Sequence, residues 1–148
     1  MRKRFVSIAA ACGLVLVAGC ATVPQRPQIT DAGIQPAELV PGDSALITVA
    51  FKDRFRLVRS VKGVVVEDPT IEFALKDDGV APDARADDGI WSLQVDVPFN
   101  APPGGFQLDL RAYDSQGNVI VVPDVNGEAQ PLQASVTLAI RIPSAAAP

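Results

Sequence analysis

The chain has 148 residues, enough for one ordinary domain with extensions, and its 48% apolar and 20% charged residues exclude wholesale disorder. It contains no histidine, which excludes the histidine-based catalytic sets and removes the commonest metal ligand. Its 13 prolines and 11 glycines are typical of short strands joined by turns.

The first 19 residues have the pattern of a secretory signal peptide. Three basic residues at positions 2–4 precede an apolar run over 5–18. That run is shorter than the about 20 residues that a membrane-spanning helix needs. A basic start followed by a short apolar core indicates a segment that is removed on export. The alternative, a retained membrane helix, is disfavoured because Pro24 and Pro27 follow the run directly.

The signal ends in Val17-Ala18-Gly19-Cys20, which is an aliphatic residue, two small residues and a cysteine. This segment resembles the lipobox of bacterial lipoproteins at every position. The resemblance implies that Cys20 carries diacylglycerol on its sulfur, that the chain is cut before Cys20, and that an acyl chain such as palmitate caps the new amino group. Several acyl chains hold a protein on a bilayer effectively permanently, because each buried methylene contributes about 0.8 kcal/mol. A plain signal peptide with an accidental cysteine is the alternative.

Removal of the signal changes both the thiol content and the charge of the chain. Cys12 leaves with it, so the exported domain has no disulfide and depends on its core for stability. The mature chain keeps ten basic and all seventeen acidic residues, a net charge of −7. This charge argues against nucleic acid, or anionic lipid headgroups, as partners of the folded surface.

The residue after the cysteine gives an expectation for location. In the lipoproteins that the lipobox resembles, an aspartate there favours retention at the inner membrane. Ala21 stands at that position. We therefore expect a lipid-anchored protein of the bacterial envelope, at the periplasmic face of the outer membrane if the organism has two membranes.

Residues 20–35 are predicted to be a tether, because they carry prolines and polar residues without helical periodicity. About 15 residues can reach roughly 45 Å when extended. At the other end of the chain, residues 143–148 are predicted to be a disordered tail.

Between these ends, apolar and polar residues alternate repeatedly, which predicts half-buried antiparallel strands. The alternating segments are 45–52, 70–76, 90–97, 105–113 and 133–142. Two more runs, 61–67 and 118–122, are apolar on both faces and are interpreted as central strands or as edges covered by a partner. Proline, glycine and aspartate punctuate the breaks. About seven strands and no helix predict a single antiparallel β-sandwich over 36–142, with a small closed barrel as the alternative.

A second resemblance lies within this region. The strings LKDDG at 75–79, PDA at 82–84 and ADDGIW at 86–91 are similar to a pattern in immunoglobulin-like domains of bacterial surface and exported proteins. The continuation, PG at 103–104 and RAYDSQGN at 111–118, is similar as well. The resemblance implies an immunoglobulin-like sandwich and almost nothing about a ligand, because this architecture hosts many roles.

Five aspartates gather within twelve residues, namely Asp77, Asp78, Asp83, Asp87 and Asp88. Such carboxylates could hold Ca²⁺, which takes six to eight oxygen ligands. The spacing does not fit an EF-hand loop, and Arg85 could pair with one of the aspartates instead. Aspartate followed by glycine is also common in hairpin turns. The turn interpretation is favoured, and no metal, cofactor or catalytic residue is predicted.

Two carboxylates could also act as acid and base if they lay in a cleft where different surroundings gave them different pKa values. The predicted loops are short, and without histidine or a retained thiol no nucleophilic triad is possible. We therefore expect a protein that is not an enzyme, with no evident small-molecule substrate.

Basic residues of the mature chain concentrate only in 52–62. The cations are Arg54, Arg56, Arg59 and Lys62, with Phe55, Leu57 and Val58 between them. They could face an acidic partner or the lipid surface near the anchor, but a solvated strand edge protected by cations is favoured. Trp91 is predicted to be a core residue, with an exposed aromatic anchor as the alternative.

The sequence therefore favours a lipid-anchored, non-enzymatic envelope module that binds another envelope protein, acts as a spacer or takes part in assembly. Exposed strand edges are the expected contact surface. The alternatives are a calcium-stabilised adhesion or carbohydrate-contacting domain that uses 77–89, and a small hydrolase.

Overall fold

The computed structural model describes residues 26–142, and these form ten strands and no helix. The predicted all-β class is confirmed. Accordingly, the described part of the chain has no helix long and apolar enough to span a bilayer. The strands are β1 Gln28–Gln35, β2 Glu38–Leu39, β3 Ser44–Lys52, β4 Ser60–Val65, β5 Glu72–Leu75, β6 Ile90–Asp96, β7 Gly104–Tyr113, β8 Val121–Pro123, β9 Ala129–Pro131 and β10 Gln133–Ile140.

Eight of these strands form two sheets. One sheet has the order β1-β3-β6 and the other β2-β10-β7-β4-β5, while β8 and β9 form a separate hairpin. With β1, β3 and β6 in one sheet and β4, β7 and β10 in the other, the arrangement is that of the A, B, E and C, F, G strands of an immunoglobulin sandwich. The ladders are antiparallel, apart from the short parallel pairing of β2 with β10.

The core lies between the two sheets and follows from the period-2 pattern. In β3, alternate residues from Ala45 to Phe51 are buried, as a strand with one face on the core requires. Ile47 of this sheet and Leu110 of the other are both fully buried. Trp91 is half-buried and packs against the same core.

The predicted tether over 20–35 is wrong for residues 28–35, which form β1. This strand pairs with β3 from Gln28 opposite Lys52 to Gln35 opposite Leu46. Its register shifts between Ile29 and Asp31, and such a bulge moves the apolar residues to the other phase of the alternation. The bulge therefore hides the strand pattern, and the domain starts at 28 rather than 36. Residues 20–25 and 143–148 lie outside the described residues.

The two runs that are apolar on both faces have different outcomes, and for 61–67 the central-strand interpretation is confirmed. The run 61–67 is an inner strand, since β4 lies between β7 and β5, and this explains its two apolar faces. The run 118–122 is only partly a strand, because Val119 makes a single bridge with Tyr113 and β8 begins at Val121. The short strands β2 and β9 were not predicted, since two or three residues carry no periodic signal.

Two hairpin turns share one construction, in which an aspartate carboxylate accepts backbone N–H groups. Asp114 accepts from Gln116 and Asn118 at 2.8 and 2.9 Å. Asp124 accepts in the same way from residues 126 and 128. These bonds favour the ionised carboxylate and lower the pKa of both aspartates. The Ser135 hydroxyl, 2.6 Å from the Asp109 carboxylate, lowers the pKa of that group across the β7–β10 ladder.

The lowered pKa values predict acid-sensitive stability. A carboxyl group with a folded pKa below its unfolded value of about 3.9 stabilises the fold above that pH, and the contribution is lost as pH falls through the folded pKa. We expect the free energy of unfolding, measured in urea, to decrease below about pH 4. Ser135→Ala should weaken the fold at neutral pH and reduce this acid-dependent loss. The exposed neighbour Thr137→Ala should leave the pH profile unchanged, and equal profiles for both variants would contradict the assignment.

Candidate functional site

Several loops meet at the end of the sandwich where the chain enters β1, which we call the proximal end. Gln28 opens β1 opposite Lys52, the last residue of β3. Ile90 opens β6 opposite Ala50, and the connection from β5 to β6 therefore lies at the same end. The chain leaves β10 at Ile140, opposite Gly104, which marks the distal end.

The connection between β5 and β6, residues 76–89, contains all five predicted aspartates and is built around two of them. The Asp88 and Gly89 N–H groups donate to the two oxygens of Asp77, at 3.2 and 3.0 Å. Asp83 is only 6% exposed, and its carboxylate accepts from the Gly79 N–H at 2.5 Å and the Arg85 N–H at 3.4 Å. The loop is thus folded around its own carboxylates.

Three of these aspartates come together. Carboxylate oxygens of Asp77, Asp83 and Asp88 lie within 4.8 Å of one another, which is compatible with shared contact to one cation. The other two point to cations of the protein, since Asp78 pairs with Lys76 at 3.8 Å and Asp87 with Arg56 at 3.4 Å. The carboxylates of the cluster already accept backbone N–H groups, so each has a structural role that needs no ion.

We expect Asp83→Ala to destabilise the domain by about 1–3 kcal/mol, because the buried Asp83 side chain is lost and its partly buried hydrogen bond from the Gly79 N–H is broken. Because the role is structural, the loss should be the same in chelator and in excess Ca²⁺ when thermal unfolding is followed. Asp87→Asn, at an exposed position of the same loop, is the matched control and should change stability by no more than about 0.5 kcal/mol, because asparagine tolerates the positive φ of this residue. A loss for Asp83→Ala seen only with Ca²⁺ present would instead support the calcium alternative.

The basic loop, residues 53–59, connects β3 to β4 and so crosses from one sheet to the other. The interpretation of this segment as a strand edge is therefore wrong. Phe55 and Leu57 are 59% and 46% exposed, whereas Val58 is buried. The Arg54 guanidinium lies 6.0 Å from the centroid of the Phe55 ring.

Lys62 does not belong to the basic loop. It lies on β4 and pairs with Glu72 of β5 at 2.9 Å. The predicted basic cluster over 52–62 therefore divides into a cationic loop at the proximal end and one lysine on a sheet face.

The basic loop and the β5–β6 connection, residues 76–89, which we call the aspartate loop, face each other across a cleft of about 500 Å³, whose lining includes Phe51 and Trp91. Arg56 and Asp87 pair across it, and both have positive φ, at 51° and 60°, alone among the non-glycine residues described. Such backbone conformations are uncommon outside glycine and asparagine-like residues. The pair is largely exposed and so contributes little to stability.

The sequence did not predict this cleft, because Arg56 and Asp87 belong to different connections and meet only through the β3–β6 register. The charged lining of this cleft is open to solvent, and we assign no reaction to it. The expectation that the protein is not an enzyme stays a prediction. Cys20 and the lipobox lie outside the described residues.

No protein-family model matches the chain, and no curated protein matches its sequence. Among solved structures, similarity is distant. An endo-β-1,4-mannanase from Thermotoga petrophila has a TM-score of 0.45 at 11% identity, with 78% of this chain and 19% of that chain covered. An alkylpurine DNA glycosylase from Pseudomonas fluorescens has a TM-score of 0.45 at 14% identity, with 78% of this chain and 30% of that chain covered.

A Niemann-Pick type C2 protein from the Japanese carpenter ant has a TM-score of 0.42 at 10% identity, with 78% of this chain and 92% of that chain covered. The chain thus spans less than a third of the mannanase and of the glycosylase. TM-scores this low support no conclusion about function.

Proposed function

We propose that this protein is a lipid-anchored, non-enzymatic module of the bacterial envelope, held on the membrane through Cys20. The observation that carries the proposal is Val17-Ala18-Gly19-Cys20 at the end of a short apolar run with a basic start. Cleavage before Cys20 leaves a short link, since β1 begins at Gln28. The sandwich has no cysteine of its own and is held together by its core, as an exported domain without disulfides must be.

The sandwich would bind another envelope protein or hold a partner at a set distance from the bilayer. Support for a protein partner comes from β1, which is an edge strand. Among the described strands it pairs only with β3, so its other edge has no strand partner. An edge of this kind can accept a strand from a partner through main-chain hydrogen bonds. Outer-membrane attachment is favoured by Ala21 if the organism has two membranes.

The experiment is Cys20→Ser, expressed from the native signal and followed by fractionation of the envelope. A serine cannot take the thioether-linked diacylglycerol. We therefore expect the wild-type protein as a mature chain in the detergent-soluble membrane fraction, and we expect no mature, membrane-bound chain for the variant. Ala21→Ser, which keeps the cysteine, is the control and should stay membrane-bound. Conversion of Cys20→Ser to the same mature, membrane-bound form as the wild type would contradict the anchor. Crosslinking in intact cells, with wild type against Cys20→Ser, then identifies the partner.

A further inference from the structure

We propose that the basic loop, residues 53–59, rests on the bilayer that holds the anchor, with its arginines against anionic phospholipid headgroups and Phe55 and Leu57 in the interface. The inference rests on the proposed function, since it requires the lipid on Cys20. It assigns an orientation to the domain, with the proximal end on the membrane and the distal end directed away.

The point where the chain enters the domain supports this orientation. Gln28 lies opposite Lys52, directly before the basic loop, and a surface groove is lined by Arg26, Lys52 and Arg54 together. The six links from Cys20 to Arg26 can span at most roughly 22 Å. The distal end lies farther away by the length of a strand, which for the ten residues of β7 is roughly 33 Å. The anchor therefore holds the basic loop, and not the distal loops, near the lipid surface.

The loop presents positive charge outward. Arg54, Arg56 and Arg59 are all exposed. The one acidic residue of the loop, Asp53, is directed inward, because its Oδ2 accepts from the Val58 N–H at 2.7 Å and its Oδ1 is buried. The basic loop therefore brings three exposed arginines to the end of the domain that faces the bilayer, and arginine suits phosphate recognition through its planar donors.

The neighbouring aspartate loop opposes this charge, because Asp77, Asp87 and Asp88 line the same cleft as the arginines and a hydrogen bond from a backbone N–H does not remove the charge of a carboxylate. Asp87 is paired with Arg56, while Asp77 and Asp88 accept backbone N–H groups of their own loop. The net charge of −7 argues against headgroup contact for the folded surface as a whole. Charges more than about 8 Å away are largely screened at physiological salt, so the bilayer responds to the charges that face it.

Exposed apolar side chains complete the surface. Phe55 and Leu57 flank Arg56, and large apolar residues interleaved with arginine are typical of segments that lie in the membrane interface. The anchor makes the contact intramolecular, so its effective concentration is high and a few weak contacts suffice.

The test uses the lipidated mature protein in vesicles of phosphatidylcholine with phosphatidylglycerol, containing a lipid that carries a quencher at its headgroup. Phe55→Cys supplies the free thiol for an environment-sensitive fluorophore, because Cys20 is acylated. Phe99→Cys is the matched control, since Phe99 is 89% exposed and lies beside Gly42 at the distal end. Flotation with the vesicles reports the anchor separately.

We expect the probe at 55 to be quenched several-fold more than the probe at 99. Replacing the three arginines of the loop by glutamine, or omitting phosphatidylglycerol, should reduce the quenching at 55 by roughly half or more. Equal quenching at both positions, or quenching at 55 that is indifferent to both charge changes, would overturn the docking while flotation persists. Failure of the wild type to float would overturn the anchor, and the docking with it.

Discussion

Leu110→Ala is expected to cost about 3–5 kcal/mol of unfolding free energy, because Leu110 is among the largest fully buried side chains described. Leu110 is 0% exposed in β7, which lies between β10 and β4, so its neighbours are fixed on both sides and cannot close over the space left. Single domains have only about 5–15 kcal/mol in total, and no disulfide compensates here. Much of the variant should therefore be unfolded or degraded in the cell.

The measurement is urea unfolding followed by circular dichroism, with Leu57→Ala as the matched control. Leu57 is the same residue type in an exposed loop, and its truncation should change stability by no more than about 0.5 kcal/mol. Similar losses for the two leucines would contradict the placement of the core between the sheets.

The second large effect is expected for Gly89→Ala, which should lower the free energy of unfolding by about 3 kcal/mol. Backbone strain and steric overlap of the new Cβ with β3 both contribute. Gly89 has φ +85°, and a Cβ there would lie 2.9 Å from the Phe51 carbonyl oxygen. The residue cannot move away freely, since its own carbonyl accepts the Phe51 N–H at 2.9 Å and its N–H donates to Asp77. The substitution therefore disturbs the β3 end and the aspartate loop together.

Gly117→Ala separates the two causes. Gly117 has a similar φ of +80°, and a Cβ there meets nothing within 4 Å. Its replacement should cost only about 1–2 kcal/mol, the strain of the left-handed backbone. The difference between the two variants, measured by thermal unfolding, reports the contact with Phe51. No difference would show that the close approach of Gly89 to β3 is absent.

The fold could be predicted from the sequence where one face of a strand is buried without interruption. β3 and β7 show this, because buried and less buried residues alternate over at least seven residues in each. β1 could not be predicted, since its bulge changes the phase of the pattern after Ile29 and the flanking prolines suggest a tether.

The candidate site was predictable only in its parts. The aspartates of 77–88 and the arginines of 54–59 are visible as local clusters, and the dipeptides Asp78-Gly79 and Asp88-Gly89 indicate turns. Their meeting across one cleft depends on the pairing of β3 with β6, which local composition does not encode. The position of the basic loop beside the start of β1 depends in the same way on a strand that the sequence pattern conceals.

The central claim is that this sandwich is held on a bilayer by lipid on one sulfur atom. Intact-mass spectrometry of the protein extracted from native membranes tests it most directly. We predict a chain that begins at Cys20 and is heavier than its amino acids by a diacylglycerol and an amide-linked acyl chain. A chain with a free thiol at position 20, or one that retains residues 1–19, would contradict the claim.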